Sequence, residues 1–399
     1  MMIINRKKQP AKAFRILKIF FVYICVLLLS FAGVVYFSVQ QWATTEEGRL
    51  PVKTAVVLHA VNENLVTPDI KRPSFLAGSG TSTLKREEIM IPVRDGANIR
   101  ARMYRPSGDG PYPIVMYYHG GAFLEGYGNI DTHDNIVRSL AARTNSVVIS
   151  VGYRLAPEYV FPTAIEDSYD ALVWAVESAD TFNGDSTKVV VAGDSAGGNI
   201  ATAVAIMTNY EQGPQLQAQI LYYPLTTFND LSFPSREQYD SGYFLLSRGV
   251  MNLAREKYTP EEYMWSSPYT SPLEAPDLSG LPPTLIITAE FDPLRDEGEA
   301  YARRLAESGV PVRAQRYNGV MHGFISFFEV MDVGKHGLQQ TSYFLKQVLH
   351  EETVPAQDTF TVTIIDQPSE KKFREQVEAY AIASFLISKQ ASSIIPLRY

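Results

Sequence analysis

Residues 188–207 read "KVVVAGDSAGGNIATAVAIM": an apolar run of strand type, a turn crowded with small residues, then a stretch of helical character. Gly193, Ser195 and Gly197 stand two apart at the turn. A chain that leaves a buried strand and enters a helix so abruptly brings the two backbones together, so the positions two before and two after the apex must be small. Ser195 is then held on a strained apex, with the amide of Ala196 unpaired at the helix N-terminus behind it.

The rest of the chain repeats this rhythm. A hairpin is expected around Asp95-Gly96, flanked by alternating residues in "EEIMIPVRDGANIRARMYRP". Short apolar runs follow at "IVMYY", "SVVISVGY", "KVVVA", "QAQILYYP", "TLIITA" and "VRAQRY", most of them separated by helical segments. Strand alternating with helix predicts a mostly parallel α/β sheet covered on both faces. Thr163 to Glu166 reads as a capping box opening one of the helices. Residues 226–275 interrupt the pattern with an insertion rich in aromatics (Phe228, Phe233, Tyr239, Tyr243, Phe244, Tyr258, Tyr263, Trp265), the habit of a lid or binding loop. Residues 40–85 are expected to be partly helical. In the tail, "TFTVTII" alternates like a strand and "KKFREQVEAYAIASFLISK" reads as a helix.

The front of the chain differs. Ile19 to Val39 is 21 residues without a charge, about 31 Å as a helix and long enough to cross a bilayer. Arg6, Lys7, Lys8, Lys12, Arg15 and Lys18 precede it, and Glu46 and Glu47 follow. The expectation is a retained membrane anchor with a cytoplasmic N-terminus and the remainder on the other side; a signal peptide cleaved near Ser30-Phe31-Ala32 is the alternative. The domain reading is a basic N-terminus 1–18, an anchor helix 19–39, a linker and first part of a cap 40–85, a catalytic body 86–350 carrying the cap insertion 226–275, and an extension 351–399.

Net charge is −7 with no dense basic block beyond the N-terminus, which argues against nucleic acid as a partner. One cysteine, Cys25, excludes an intrachain disulfide, and the six histidines show no metal-ligand spacing, so no metal is expected. The sequence sets no oligomeric state.

Three further stretches bear on chemistry. "YYHGGAF" ends an early strand with His119, Gly120, Gly121 and Ala122, a loop able to aim backbone amides at a developing negative charge. In "EFDPLRDEGEAYARRL", Asp292 lies just past a strand end, while Asp296 reads as the N-cap of the next helix. "NGVMHGF" sets His322 in the loop after the last of the expected core strands. Ser195, Asp292 and His322 thus follow three strands in the order nucleophile, acid, base.

Together "HGGAF", "VGYRLAPE" with "FPTAIED", "GDSAGGN", "DPLRDEG" and "HGF" resemble the G-D-S-A-G branch of the hormone-sensitive-lipase family, over about residues 85–350. The anchored layout is similar to that of arylacetamide-deacetylase-like members. The resemblance implies an α/β-hydrolase fold with an eight-stranded, mostly parallel sheet, helices on both faces and a cap. It implies Ser195 as nucleophile, Asp292 as orienting acid and His322 as base, with an oxyanion hole drawn from Gly120, Gly121, Ala122 and Ala196. His119 would hold its loop rather than act as a base. The family often has a third glycine where Ala122 stands, and the tail after 351 lies outside the family pattern. The implied reaction is hydrolysis of a small carboxylic ester of short or medium chain without a cofactor. An amidase or N-deacetylase would use the same residues, and a receptor of this fold would have lost His322.

Overall fold

The computed structural model describes residues 10–65, 84–229, 231–350, 359–366 and 369–394. The chain divides into two units, Met1–Leu65 with Pro368–Tyr399, and Val66–Gln367. Arg6, Lys7 and Lys8 of the basic flank, the "AGSGTST" stretch and residues 351–358 lie outside the described residues.

The first unit begins with helix α1 (Pro10–Trp42), followed by a two-residue ladder of β1 (Thr44–Thr45) and β2 (Gly48–Arg49), helix α2 (Val52–Asn62) and, from the tail, helix α10 (Ser369–Ile394). Phe14–Trp42 is long and apolar enough to cross a membrane, and its side chains are mostly exposed until Val35 and Val39. The helix overruns the uncharged run at both ends because nothing in the flanks breaks helix geometry. α2 is buried nearly all round, and its Ala55–Leu58 run is apolar. α10 buries Glu375, Ala379, Ala383 and Leu386, roughly one residue per turn. It is tied to α2 by Lys53 Nζ to Glu378 Oε2 at 2.7 Å and to α1 by Gln40 Nε2 donating to the Tyr380 hydroxyl at 2.9 Å. The sequence left the partner of this helix open; α1 and α2 supply it.

The second unit is built on one sheet. Its strands are β3 (Leu84–Pro92), β4 (Asn98–Pro106), β5 (Tyr112–Tyr118), β6 (Val147–Gly152), β7 (Gly184–Asp194), β8 (Leu216–Tyr222), β9 (Thr284–Phe291), β10 (Val312–Met321) and β11 (Val362–Ile365). They lie in the order 11-10-9-8-7-5-6-4-3, and only the β3–β4 and β4–β6 pairs are antiparallel. The expected hairpin forms with Pro92 opposite Asn98 across a Gly96 turn at φ +86°. Among the described residues the sheet has nine strands, not eight. The added strand is the alternating tail segment, which pairs in parallel with β10 from Ala314–Val362 to Tyr317–Ile365 and covers an edge that would otherwise be open.

Helices α3 (Asp134–Thr144), α4 (Thr163–Glu177), α5 (Ala196–Glu211), α8 (Arg295–Glu307) and α9 (Asp332–Leu349) join the strands, and the insertion contributes α6 (Pro234–Gln238) and α7 (Arg248–Tyr258). The insertion thus belongs to this second unit, whereas residues 40–65 belong to the first. Two helix starts differ from expectation. Thr163 is the first helical residue, with Pro162 at the cap position and no side-chain cap, so the capping box does not form. Leu294 caps α8, which puts Asp296 inside the first turn rather than at the cap.

Candidate active site

β7 ends at Asp194 and α5 starts at Ala196, leaving Ser195 alone at the junction with φ +54° and ψ −119°. Such a backbone is costly for a residue with a side chain and persists only where its surroundings fix it. Here the Ser195 amide donates to the Tyr222 carbonyl at 2.9 Å, and its carbonyl accepts from Leu225 N at 3.2 Å. The neighbouring glycines are sterically required. A Cβ on Gly193 would lie 2.1 Å from the Gly197 oxygen, and one on Gly197 would lie 1.9 Å from the Tyr118 oxygen.

His322 follows β10, and its Nε2 is 3.0 Å from Ser195 Oγ. Its Nδ1 is 2.9 Å from Asp292 Oδ2, and Asp292 Oδ1 accepts from Leu294 N at 2.8 Å. Asp292 is fully buried and His322 is 7 % exposed, so only the serine end of this chain of hydrogen bonds opens to the cavity. The sheet therefore brings together three residues separated by 127 and 30 positions. An imidazole between a hydroxyl and a carboxylate can take the hydroxyl proton while the carboxylate steadies the resulting cation.

The loop after β5 supplies the amides, with one correction. Gly120 N donates to Asp194 Oδ1 at 3.0 Å, so this amide is committed within the protein and is not free for an oxyanion. Among the described residues, the amides of Gly121, Ala122 and Ala196 have no protein acceptor. Ala122 and Phe123 both take positive φ, +56° and +62°, which turns the loop back beside the serine. His119 is buried, its Nδ1 lies 2.8 Å from the Gly120 carbonyl, and the Tyr153 hydroxyl donates to its backbone oxygen at 2.5 Å. Burial, with His133 nearby, lowers its pKa to about 4, so the ring is neutral at pH 7.

A cavity with an empty volume of about 450 Å³, counted out to open solvent, lies over Ser195. Ala122 and Phe123 form one side; Leu225, Phe228, Leu246, Val250, Met251 and Ala254 form the apolar wall. Most of the insertion's aromatics frame this wall instead of lining it. Tyr258 stacks on Phe123 at 4.2 Å between centroids, and Phe244 stacks on Phe291 at 5.4 Å. Arg236 also lines the cavity, and its guanidinium meets Glu297 Oε2 at 2.5 Å and the Thr227 carbonyl at 2.7 Å. Burial raises the pKa of Glu297 although Arg236 opposes it.

Residues 115–326, which include Ser195, Asp292 and His322, match a family described by its alpha/beta hydrolase fold. The chain is an α/β-hydrolase. It belongs to the hormone-sensitive-lipase family within that fold, as its motifs implied. This α/β-hydrolase is 40 % identical over 242 residues to an arylesterase of Saccharolobus solfataricus, covering 61 % of this chain and 75 % of the relative. It is 34 % identical over 311 residues to an ethyl acetate hydrolase of Pseudomonas putida, covering 76 % and 96 %. Among solved structures, a hyperthermophilic esterase of the archaeon Pyrobaculum calidifontis superposes with a TM-score of 0.64 at 44 % identity, covering 66 % of this chain and 86 % of that one.

Sequence reasoning missed His133, Tyr117, Arg236 and the ion-paired role of Glu297. Each makes its contact across a long sequence separation, and none stands in a spacing that signals chemistry by itself.

Proposed function

We propose that this α/β-hydrolase is a serine carboxylesterase acting on carboxylic esters of short to medium acyl chain through an acyl-enzyme. The observation that carries the reading is the hydrogen-bonded series Ser195–His322–Asp292 at the floor of an apolar cavity. His322 Nε2 takes the Ser195 proton as Oγ bonds to the ester carbonyl carbon. The negative charge that develops on the carbonyl oxygen is met by the amides of Gly121, Ala122 and Ala196. The tetrahedral adduct collapses, the C–O bond to the alcohol breaks, and His322 returns the proton to the departing oxygen. Water then repeats the sequence on the acyl-enzyme, releasing the acid and restoring Ser195. The names of the relatives, an arylesterase and an ethyl acetate hydrolase, favour esters over amides.

The body carrying this chemistry is residues 86–350, with 226–275 as the cap insertion and α1 as a signal anchor that leaves the N-terminus cytoplasmic. The basic residues before the apolar run and the acidic ones after it support that orientation.

Steady-state kinetics on p-nitrophenyl esters test the function. Wild type turns over the acetate and butyrate esters, and Ser195→Ala loses about 10⁴-fold or more in kcat while keeping its fold. Wild type without ester turnover, or a serine variant that keeps it, overturns the reading.

A further inference from the structure

Ser195 has a second aspartate–histidine pair beside it. The preceding residue, Asp194, is buried, and its Oδ2 lies 3.2 Å from His133 Nε2. Its Oδ1 accepts from the Tyr117 hydroxyl at 2.7 Å and from Gly120 N at 3.0 Å. His133 sits at the start of α3, with Nδ1 3.2 Å from the Asn129 carbonyl and 2.9 Å from Thr132 Oγ1. The Thr132 hydroxyl lies 2.9 Å from the Asn129 carbonyl and 2.9 Å from His133 Nδ1, and it can donate to either. One ring nitrogen of His133 therefore faces a carboxylate, and the other faces a backbone carbonyl beside the hydroxyl. A doubly protonated ring donates to the carboxylate and to the carbonyl at once.

The groups around the pair leave this assignment intact. The His119 ring is 5.7 Å away and neutral at pH 7. Asp131 and Asp134, on the same turn as His133, are engaged by Arg102, with Arg100 also on Asp131 and the Tyr104 hydroxyl on Asp134. Tyr117, Tyr222 and Tyr223 face Asp194 as neutral phenols, their ionisation opposed by burial. Burial works against the charge on each member of the pair, and the partner's charge and hydrogen bond, helped by the Asn129 carbonyl and the Tyr117 hydroxyl, oppose it. The His133 pKa is raised and that of Asp194 is lowered.

We propose that His133 is a positioning residue: as an imidazolium it holds the Asp194 carboxylate, and through it the Gly120 peptide from which the amides of Gly121 and Ala122 project. One Asp–His pair beside Ser195 thus serves to hold a loop, while the other exchanges a proton in each half-reaction. Neutralising the first leaves Asp194 buried with one donor fewer, so its carboxylate becomes easier to protonate and its grip on Gly120 N weakens. The loss falls on the transition state, where the amides meet full negative charge, more than on substrate binding.

The inference rests on the esterase reading only for its kinetic arm. In ¹⁵N magic-angle-spinning spectra of the histidine-labelled full chain in vesicles at pH 7.5, one ring shows two protonated nitrogens, and this signal is missing in His133→Gln. In kinetics on p-nitrophenyl butyrate, His133→Ala lowers kcat by about 10- to 100-fold with KM changed by about threefold at most. It also moves the acid limb of the pH profile upward, and His133→Gln, which keeps a donor, recovers part of the rate. Absence of the doubly protonated ring overturns the proposal, as does a His133→Ala variant within about twofold of wild type with an unmoved pH profile. If His133→Ala does not fold, the spectrum and the glutamine variant decide. If wild type hydrolyses no ester and reacts with no fluorophosphonate, the esterase reading fails and the spectrum alone judges His133.

Discussion

Asp292 and Asp296 lie four residues apart at one strand-to-helix junction and serve different partners. Asp292 meets His322 Nδ1, whereas Asp296 accepts from Ser235 N at 2.8 Å and pairs with Arg295 at 2.8 Å. Asp292→Asn is expected to lower kcat by about 10⁴-fold, since imidazole orientation and charge balance are both lost. Asp296→Asn keeps an oxygen for Ser235 N and should stay within about fivefold of wild type, a small cost set by one partly exposed ion pair. Parallel kinetics of the two variants check this, and a dead Asp296→Asn reverses the assignment. His119 supplies a test by stability. Its folded pKa, about 4, lies below the ordinary 6.5, so the unfolded chain binds the extra proton as pH falls. The contribution is complete above pH 6.5 and is lost toward pH 4, costing about 2 kcal/mol between pH 7 and pH 5. Urea unfolding of the full chain at those two pH values should show this slope in wild type and lose it in His119→Asn; equal slopes contradict the burial argument. Ser195, Asp292 and His322 were legible because each follows a strand run and carries a side chain suited to one role. The commitment of the Gly120 amide was not, since it depends on where the Asp194 side chain points after the turn.

At the scale of elements, α7 supplies much of the cavity wall, through Leu246 just before it and Val250, Met251 and Ala254 on it. Each methylene buried against this wall is worth about 0.8 kcal/mol, roughly fourfold in kcat/KM, until the cavity is full. A series of p-nitrophenyl esters should thus rise over the first few acyl carbons, peak at short or medium length and fall beyond it. Val250→Trp should move the peak to a shorter chain. A flat series, or an unmoved peak in the variant, shows that α7 is not the acyl wall. The sequence revealed that an aromatic insertion existed, but not that its rings would pack mainly on Phe123 and Phe291, because periodicity does not say which face a short helix turns inward. The capping box failed for a local reason, as Pro162 occupies the cap position. The tail strand was legible as alternation; its partner β10 became evident only once the sheet had an edge to cover.

For the whole molecule, the α/β class was legible because helix and strand runs mostly alternate from β5 to β10, and the family was legible in the motifs around Ser195, Asp292 and His322. The packing of α10 on α1 and α2 was not, since an amphipathic helix at the end of a chain carries no address. The charge asymmetry about α1 leads to an expected topology: a cysteine placed at an exposed position of the catalytic body should react with an impermeant reagent in intact cells. Labelling only after lysis contradicts the orientation. All of this turns on whether Ser195 is the nucleophile of an acyl-transfer site. The most direct measurement is reaction of the full chain with a fluorophosphonate, followed by peptide mapping of the adduct. The account predicts one stoichiometric adduct, on Ser195, with parallel loss of ester hydrolysis and none formed in Ser195→Ala. An unlabelled wild type, or an adduct mapped to another residue while Ser195 stays free, contradicts it.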